Sequence, residues 1–94
     1  MEEDALLIER FRRGSRSAFD TLVEKYRREI YFLALRMLKN GEDAEEVAQQ
    51  AFVNAFNGIG GFREGSAFRT WLYRIAINLA NSRLGKRPAD AELK

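Results

Sequence analysis

The chain has 94 residues, a formal net charge of +2, 46% hydrophobic and 32% charged residues, which describes one domain and is too apolar for a disordered chain. It contains no Cys and no His, which excludes disulfides, thiolate zinc sites, a Ser-His-Asp triad and the commonest general base. The start Met1-Glu2-Glu3-Asp4 is acidic and unlike a signal peptide, and the longest apolar stretch, residues 30–38, is interrupted by Arg36 and too short to cross a bilayer.

Apolar residues recur at helical spacing nearly throughout, with no internal repeat and one proline, Pro88. The spacing predicts a short helix over residues 4–13, with Asp4 as its cap and Gly14-Ser15 ending it. A long helix follows over residues 17–39, started by Ser15 or Ser17. Phe19, Leu22, Val23, Tyr26, Ile30, Leu33, Ala34 and Met37 form its inner face. Asn40-Gly41 supplies a left-handed stop. Asp43-x-x-Glu46 resembles a capping box opening a third helix to residue 57. Its inner face carries Val47, Ala48, Ala51, Phe52, Ala55 and Phe56. Glu46, Gln49, Gln50, Val53 and Asn57 are left on the outer side.

Gly58-Ile59-Gly60-Gly61 breaks that helix, and Ser66 is expected to cap a fourth over residues 67–84. Phe68, Leu72, Ile75, Ala76 and Leu79 face inward. Thr70, Arg74, Asn78 and Asn81 fall at spacings of four, four and three and form one polar stripe. The fold class is therefore all-α, a compact bundle of three main helices plus a short N-terminal one. The domain is assigned residues 1–87, and residues 88–94 begin a flexible tail.

Four features bear on function. Glu42, Asp43, Glu45 and Glu46 cluster, but in a first helical turn, where the helix dipole favours negative charge. The glycine stretch follows a helix and precedes no Walker lysine, which argues for a connection rather than a nucleotide loop. The segment from Phe62 to Arg87 interleaves Phe62, Phe68, Trp71 and Tyr73 with Arg63, Arg69, Arg74, Arg83, Lys86 and Arg87. Arginines neutralise phosphate, aromatics stack on unpaired bases, and Asn78 and Asn81 can read base edges. The same residues also fit an ordinary core with arginines reaching from the surface. The outer strip of the third helix has no Lys or Arg and mixes polar with apolar groups, which suits either a protein partner or a solvated face.

The run Asp43-Ala44-Glu45-Glu46-Val47-Ala48-Gln49-Gln50-Ala51-Phe52, then Phe62-Arg63, then Ser66-Ala67-Phe68-Arg69-Thr70-Trp71-Leu72-Tyr73-Arg74-Ile75-Ala76-Ile77-Asn78, resembles bacterial sigma factors. The likeness is greatest to region 2 of the extracytoplasmic-function (ECF) group. It implies that the third helix docks on the clamp coiled coil of the RNA polymerase β′ subunit through Glu46, Gln49, Gln50, Val53 and Phe56. It implies that the following loop and the fourth helix hold the unwound non-template strand of the −10 promoter element. Its DNA-facing set is Phe62, Arg63, Ser66, Phe68, Arg74, Asn78, Asn81 and Arg83. The activity implied is capture of melted DNA in transcription initiation, without catalysis or cofactor, in the cytoplasm and commonly under an anti-sigma protein. Members often read Phe-Arg-Gly-Asp where this chain has Phe62-Arg63-Glu64-Gly65, so base preference does not carry over. The family's second domain, a helix-turn-helix for the −35 element, is not found in these 94 residues. Two other classes stay open: a sigma-like interaction module that docks without melting DNA, and a small duplex binder. No short turn leads into a compact basic recognition helix, which counts against the latter.

Overall fold

The computed structural model describes residues 2–62 and 67–86. In chain order they form α1 (Glu2–Arg12), α2 (Arg16–Leu38), α3 (Gly41–Gly58), a 3-10 turn (Ile59–Gly61) and α4 (Phe68–Gly85). Among the described residues there is no strand, and the all-α reading holds. No described helix is long and apolar enough to cross a membrane.

The core has two clusters, bridged by the half-buried Tyr31 and Leu79. Leu7 and Ile8 of α1, Phe19, Leu22, Tyr26 and Ile30 of α2, Ala48, Ala51, Phe52 and Ala55 of α3, and Phe68, Leu72 and Ala76 of α4 meet in its main part. A smaller cluster of Ala34, Leu38, Ala44, Val47 and Ala80 closes the other end. Alanines dominate the inner face of α3, so the larger side chains of α2 and α4 can close over it. Leu22, Ile30, Leu38, Ile59 and Leu72 are the largest fully buried side chains. Each contributes about 1.5–3 kcal/mol by leaving water.

The helix ends differ from their expected places. Asp4 is not a cap: it lies inside α1, buried, accepting hydrogen bonds from the Tyr26 hydroxyl and from Lys25 Nζ at 2.6 Å. Ser15 does occupy the N-cap of α2, after Gly14 turns the chain at φ 108°. The left-handed stop of α2 falls on Lys39 (φ 58°) rather than on Asn40-Gly41. Asn40 is then extended and caps α3, its Oδ1 accepting from the Asp43 N–H at 2.9 Å. Helix α3 thus begins two residues before Asp43, and only Lys39 and Asn40 separate it from α2. The cap of α4 falls on Ala67 rather than Ser66, with the Trp71 N–H closing the first turn on the Ala67 carbonyl at 3.1 Å. Ser66 itself, like Arg63 and the tail from residue 87, lies outside the described residues.

Candidate nucleic-acid and protein interfaces

Helix α4 turns Leu72, Ala76 and Ala80 into the core. At 100° per residue its opposite side carries Thr70, Arg74, Asn78 and Asn81. All four are exposed. Arg74, Asn78 and Asn81 have no hydrogen-bond or ion-pair partner among the described residues. The stripe therefore offers a guanidinium and two amides, with no carboxylate on that face of α4.

One flank of this stripe is braced. Glu29 of α2 accepts from Arg69 Nε at 2.9 Å and from the Tyr73 hydroxyl at 2.6 Å, and the Arg69 guanidinium lies 4.9 Å from the Tyr73 ring centroid. The Tyr73 hydrogen bond, helped by Arg69, holds the Glu29 carboxyl below the usual glutamate range. Burial, then Glu29, pushes the Tyr73 hydroxyl up. Glu29 is thus anionic near neutrality, and Arg69 is committed to it.

Phe62 and Phe68 belong to the core rather than to an open stacking surface. They are 6% and 3% exposed. Their rings are 5.9 Å apart, with Trp71 5.1 Å from Phe62 and 5.7 Å from Phe68. What they do is bring the two ends of the α3–α4 connection together. The glycine-rich end has a further tie that the sequence did not suggest: Arg12 Nη2 of α1 donates to the carbonyls of Ile59 (3.2 Å) and Phe62 (2.6 Å).

Arg83 is set apart from the stripe. It follows Ala76 at i+7 and Leu79 at i+4, on the inward side of α4, and pairs with Glu46 and, at 3.8 Å, with Asp43 of α3. That spacing was the available signal for its different place.

On α3, Glu46, Gln49, Gln50 and Val53 are exposed together. Val53 is 50% exposed, one of three exposed large hydrophobic residues among those described. Gln50 Nε2 donates to Asn54 Oδ1 at 2.8 Å, which orients its amide along the helix. Phe56 is half-buried, its ring 5.2 Å from both Phe11 and Phe19 and covered by the Arg16 guanidinium at 5.0 Å. A groove of about 700 Å³ runs between α2 and α3, bordered by Val23, Arg27, Tyr31, Gln49 and Phe52. It adjoins a second of about 300 Å³ through Val23 and Phe52, bordered by Val53 and Phe56. Gln49, Val53 and Phe56 thus edge a concave, partly apolar surface, suited to a protein helix, whereas Glu46 and Gln50 border a separate groove toward Leu79 and Arg83 of α4. Among the described residues, no cluster of three or more carboxylates could hold a metal.

Residues 22–89 match the Sigma-70 region 2 family. The chain is 47% identical over 95 residues to the RNA polymerase sigma-H factor of Pseudomonas aeruginosa, covering 98% of this chain and 49% of that protein. It is 40% identical over 93 residues to the ECF RNA polymerase sigma-E factor of Escherichia coli, covering 96% and 48%. The chain therefore spans about half the length of the curated relatives it matches. Among solved structures it resembles an engineered region 2 of sigmaE, determined by NMR in complex with GTAAAA. The TM-score is 0.79 at 38% identity, covering 86% of this chain and 84% of that one. A shared family pattern over most of the chain, relatives of that family over nearly all of it, and a shared fold agree: the chain belongs to the Sigma-70 region 2 family, of the ECF sigma factor type.

Proposed function

We propose that this chain is the part of a sigma factor that binds RNA polymerase core and captures the unwound non-template strand of the −10 promoter element. The observation that carries the DNA half is the exposed Arg74–Asn78–Asn81 stripe on α4, which has no partner among the described residues. It stands on a fold shared with an engineered sigmaE region 2 in complex with GTAAAA. The guanidinium neutralises a phosphate, and the amides bond edges of splayed bases. No bond is made or broken by the chain. Extruding a base from duplex costs a few kcal/mol, and its capture offsets that cost, so the melted state becomes populated.

The polymerase half rests on the exposed Glu46, Gln49, Gln50 and Val53 strip beside the α2–α3 groove, with Phe56 at its end. The occupant is the β′ clamp coiled coil. An anti-sigma protein covering the same strip would block docking. All of these partners act in the cytoplasm.

The test pairs two variants. Gln49→Ala with Gln50→Ala weakens binding to polymerase core while the domain stays folded. Asn78→Ala weakens capture of −10 single strand by the assembled holoenzyme while core binding persists. Undiminished core binding by the first variant sinks the docking face. Core binding with no single-strand capture by the unaltered chain would favour a module that docks without melting DNA.

A further inference from the structure

We infer that Arg12 is a positioning residue for single-strand capture, acting from α1 by fixing the backbone of residues 59–62 where the chain leaves α3 for α4. The inference rests on the DNA-binding reading above and adds a residue from outside the 22–89 family match.

The segment it holds is unusually hard to hold. Gly58, Gly60 and Gly61 surround Ile59, and glycine carries the largest backbone entropy of any residue. A Cβ placed at Gly60 or Gly61 would meet nothing within 4 Å, so no side chain packs over these two positions. The side chains of Ile59 and Phe62 are buried and pin the two ends of the turn. Its backbone is tied locally by the bonds of its 3-10 turn, with the Phe62 N–H closing on the Ile59 carbonyl at 3.1 Å. Arg12 Nη2 adds two more, to the carbonyls of Ile59 at 3.2 Å and Phe62 at 2.6 Å, reaching across 47 and 50 residues of sequence.

The chemistry suits the place. The Phe62 carbonyl lies just past a helical run, where acceptors lack intrahelical partners and the dipole favours a cation, and the Ile59 carbonyl, which accepts from the Phe62 N–H, has a second lone pair for Arg12. A charge-assisted bond is shorter and stronger than a neutral one, which fits the 2.6 Å contact. Fixing the Phe62 carbonyl restrains the backbone at the end of the turn. Phe62 also packs on Phe68 and Trp71 in the first turn of α4, the helix that carries the Arg74–Asn78–Asn81 stripe. Without Arg12 the turn samples more conformations, and a bound strand must order it. Affinity then falls although every DNA-contacting side chain is intact.

The experiment compares the chain with Arg12→Met, which keeps the apolar stem, and Arg12→Lys, which keeps the charge. Single-stranded GTAAAA and scrambled hexamers of the same composition serve as probes, by fluorescence anisotropy across a salt series. Amide hydrogen exchange at residues 59–62 and thermal unfolding are measured alongside. The expected result is binding of GTAAAA weakened on the order of fivefold in the Met variant. It comes with faster exchange at residues 59–62, an unchanged salt slope, a melting midpoint within a few degrees, and partial recovery in the Lys variant. Wild-type affinity in the Met variant overturns the inference. So does a salt slope shallower by about 0.7, because Arg12 would then be touching a phosphate directly. An unaltered chain that binds none of the hexamers overturns the DNA reading itself, and the inference falls with it.

Discussion

Arg83 of α4 and Glu46 of α3 form an ion pair across the seam between the two helices. Arg83 Nη1 also lies 3.1 Å from Glu46 Oε1, and Asp43 Oδ1 is 3.8 Å from Nη2. The pair joins a residue of the candidate polymerase strip to a cation that the sequence assigned to DNA. It neutralises Arg83 within the protein, whereas Arg74, on the outer side of α4, has no ion-pair partner among the described residues.

This difference is measurable in salt titrations of single-strand binding by the holoenzyme. Arg74→Ala should weaken binding and make the log–log salt slope shallower by about 0.7, the value for one lost phosphate contact on a single strand. Arg83→Ala should leave that slope where it was. A double-mutant cycle between Glu46→Ala and Arg83→Ala on unfolding should give a coupling of about 0.2–1 kcal/mol, the range for exposed pairs. Equal slope changes in the two arginine variants would return Arg83 to the DNA face.

Val53 should separate docking from folding. It is half exposed and borders the groove between α2 and α3, so Val53→Glu should abolish core binding while leaving the melting midpoint nearly unchanged. Leu72→Ala should do the reverse in order of cause. Leu72 is fully buried in the main core cluster, and its truncation should cost about 2–5 kcal/mol in denaturant unfolding. Binding would then be lost only with the fold.

The α2–α3 junction carries an opposed pair of predictions. Lys39 holds a left-handed backbone at φ 58°, which costs an L-residue about 1–2 kcal/mol and glycine almost nothing. Lys39→Gly should therefore stabilise the domain by about 0.5–1 kcal/mol after allowance for the freer unfolded chain. Asn40→Ala removes the acceptor of the Asp43 N–H and should destabilise it by about 0.5–2 kcal/mol. Chemical denaturation of the two single variants decides both signs.

Acid should loosen the brace between α2 and α4. The Glu29 carboxyl is held below its ordinary value by the Tyr73 hydroxyl and by Arg69. A depressed carboxyl favours the folded state at neutral pH. That contribution is lost as pH falls from the ordinary glutamate range, near 4.5, through the lower folded value. Glu29→Gln should be less stable than the unaltered chain at pH 7. The gap should shrink on acidification below about pH 4.5, followed by thermal unfolding at matched ionic strength. A gap that is constant across that range would mean that Glu29 contributes through its shape rather than its charge.

Much of this molecule was readable before any coordinates. The 3.6-residue period assigned four helices in order, because burial of one face is encoded locally, residue by residue. The same period gave the outward strip of α3 and the outward stripe of α4, since a polar face is the complement of an apolar one. The helix caps were less legible. Asn40 and Asp43 are three residues apart and both are good cap formers, and Ser66 beside Ala67 looks the better cap. Which residue takes the non-helical backbone depends on how tightly the helices are joined.

The tertiary structure alone decided matters that need a partner from elsewhere in the chain. Phe68 falls on the inward face of α4 by its period, but Phe62 stands in the connection with no period to place it, and only its packing on Phe68 and Trp71 makes it core. Arg83 becomes a counter-ion at the surface because α3 brings Glu46 to it across 37 residues. Arg12 is one of several arginines near the end of α1, and nothing local distinguishes it. Its hold on the Ile59 and Phe62 carbonyls exists because α1 packs where the glycine turn passes. The sequence by itself determined the helices and the faces they turn outward, since those follow from the periodicity of each segment. The long-range packing decided which polar groups on those faces are already paired, because pairing needs two segments to be brought into contact.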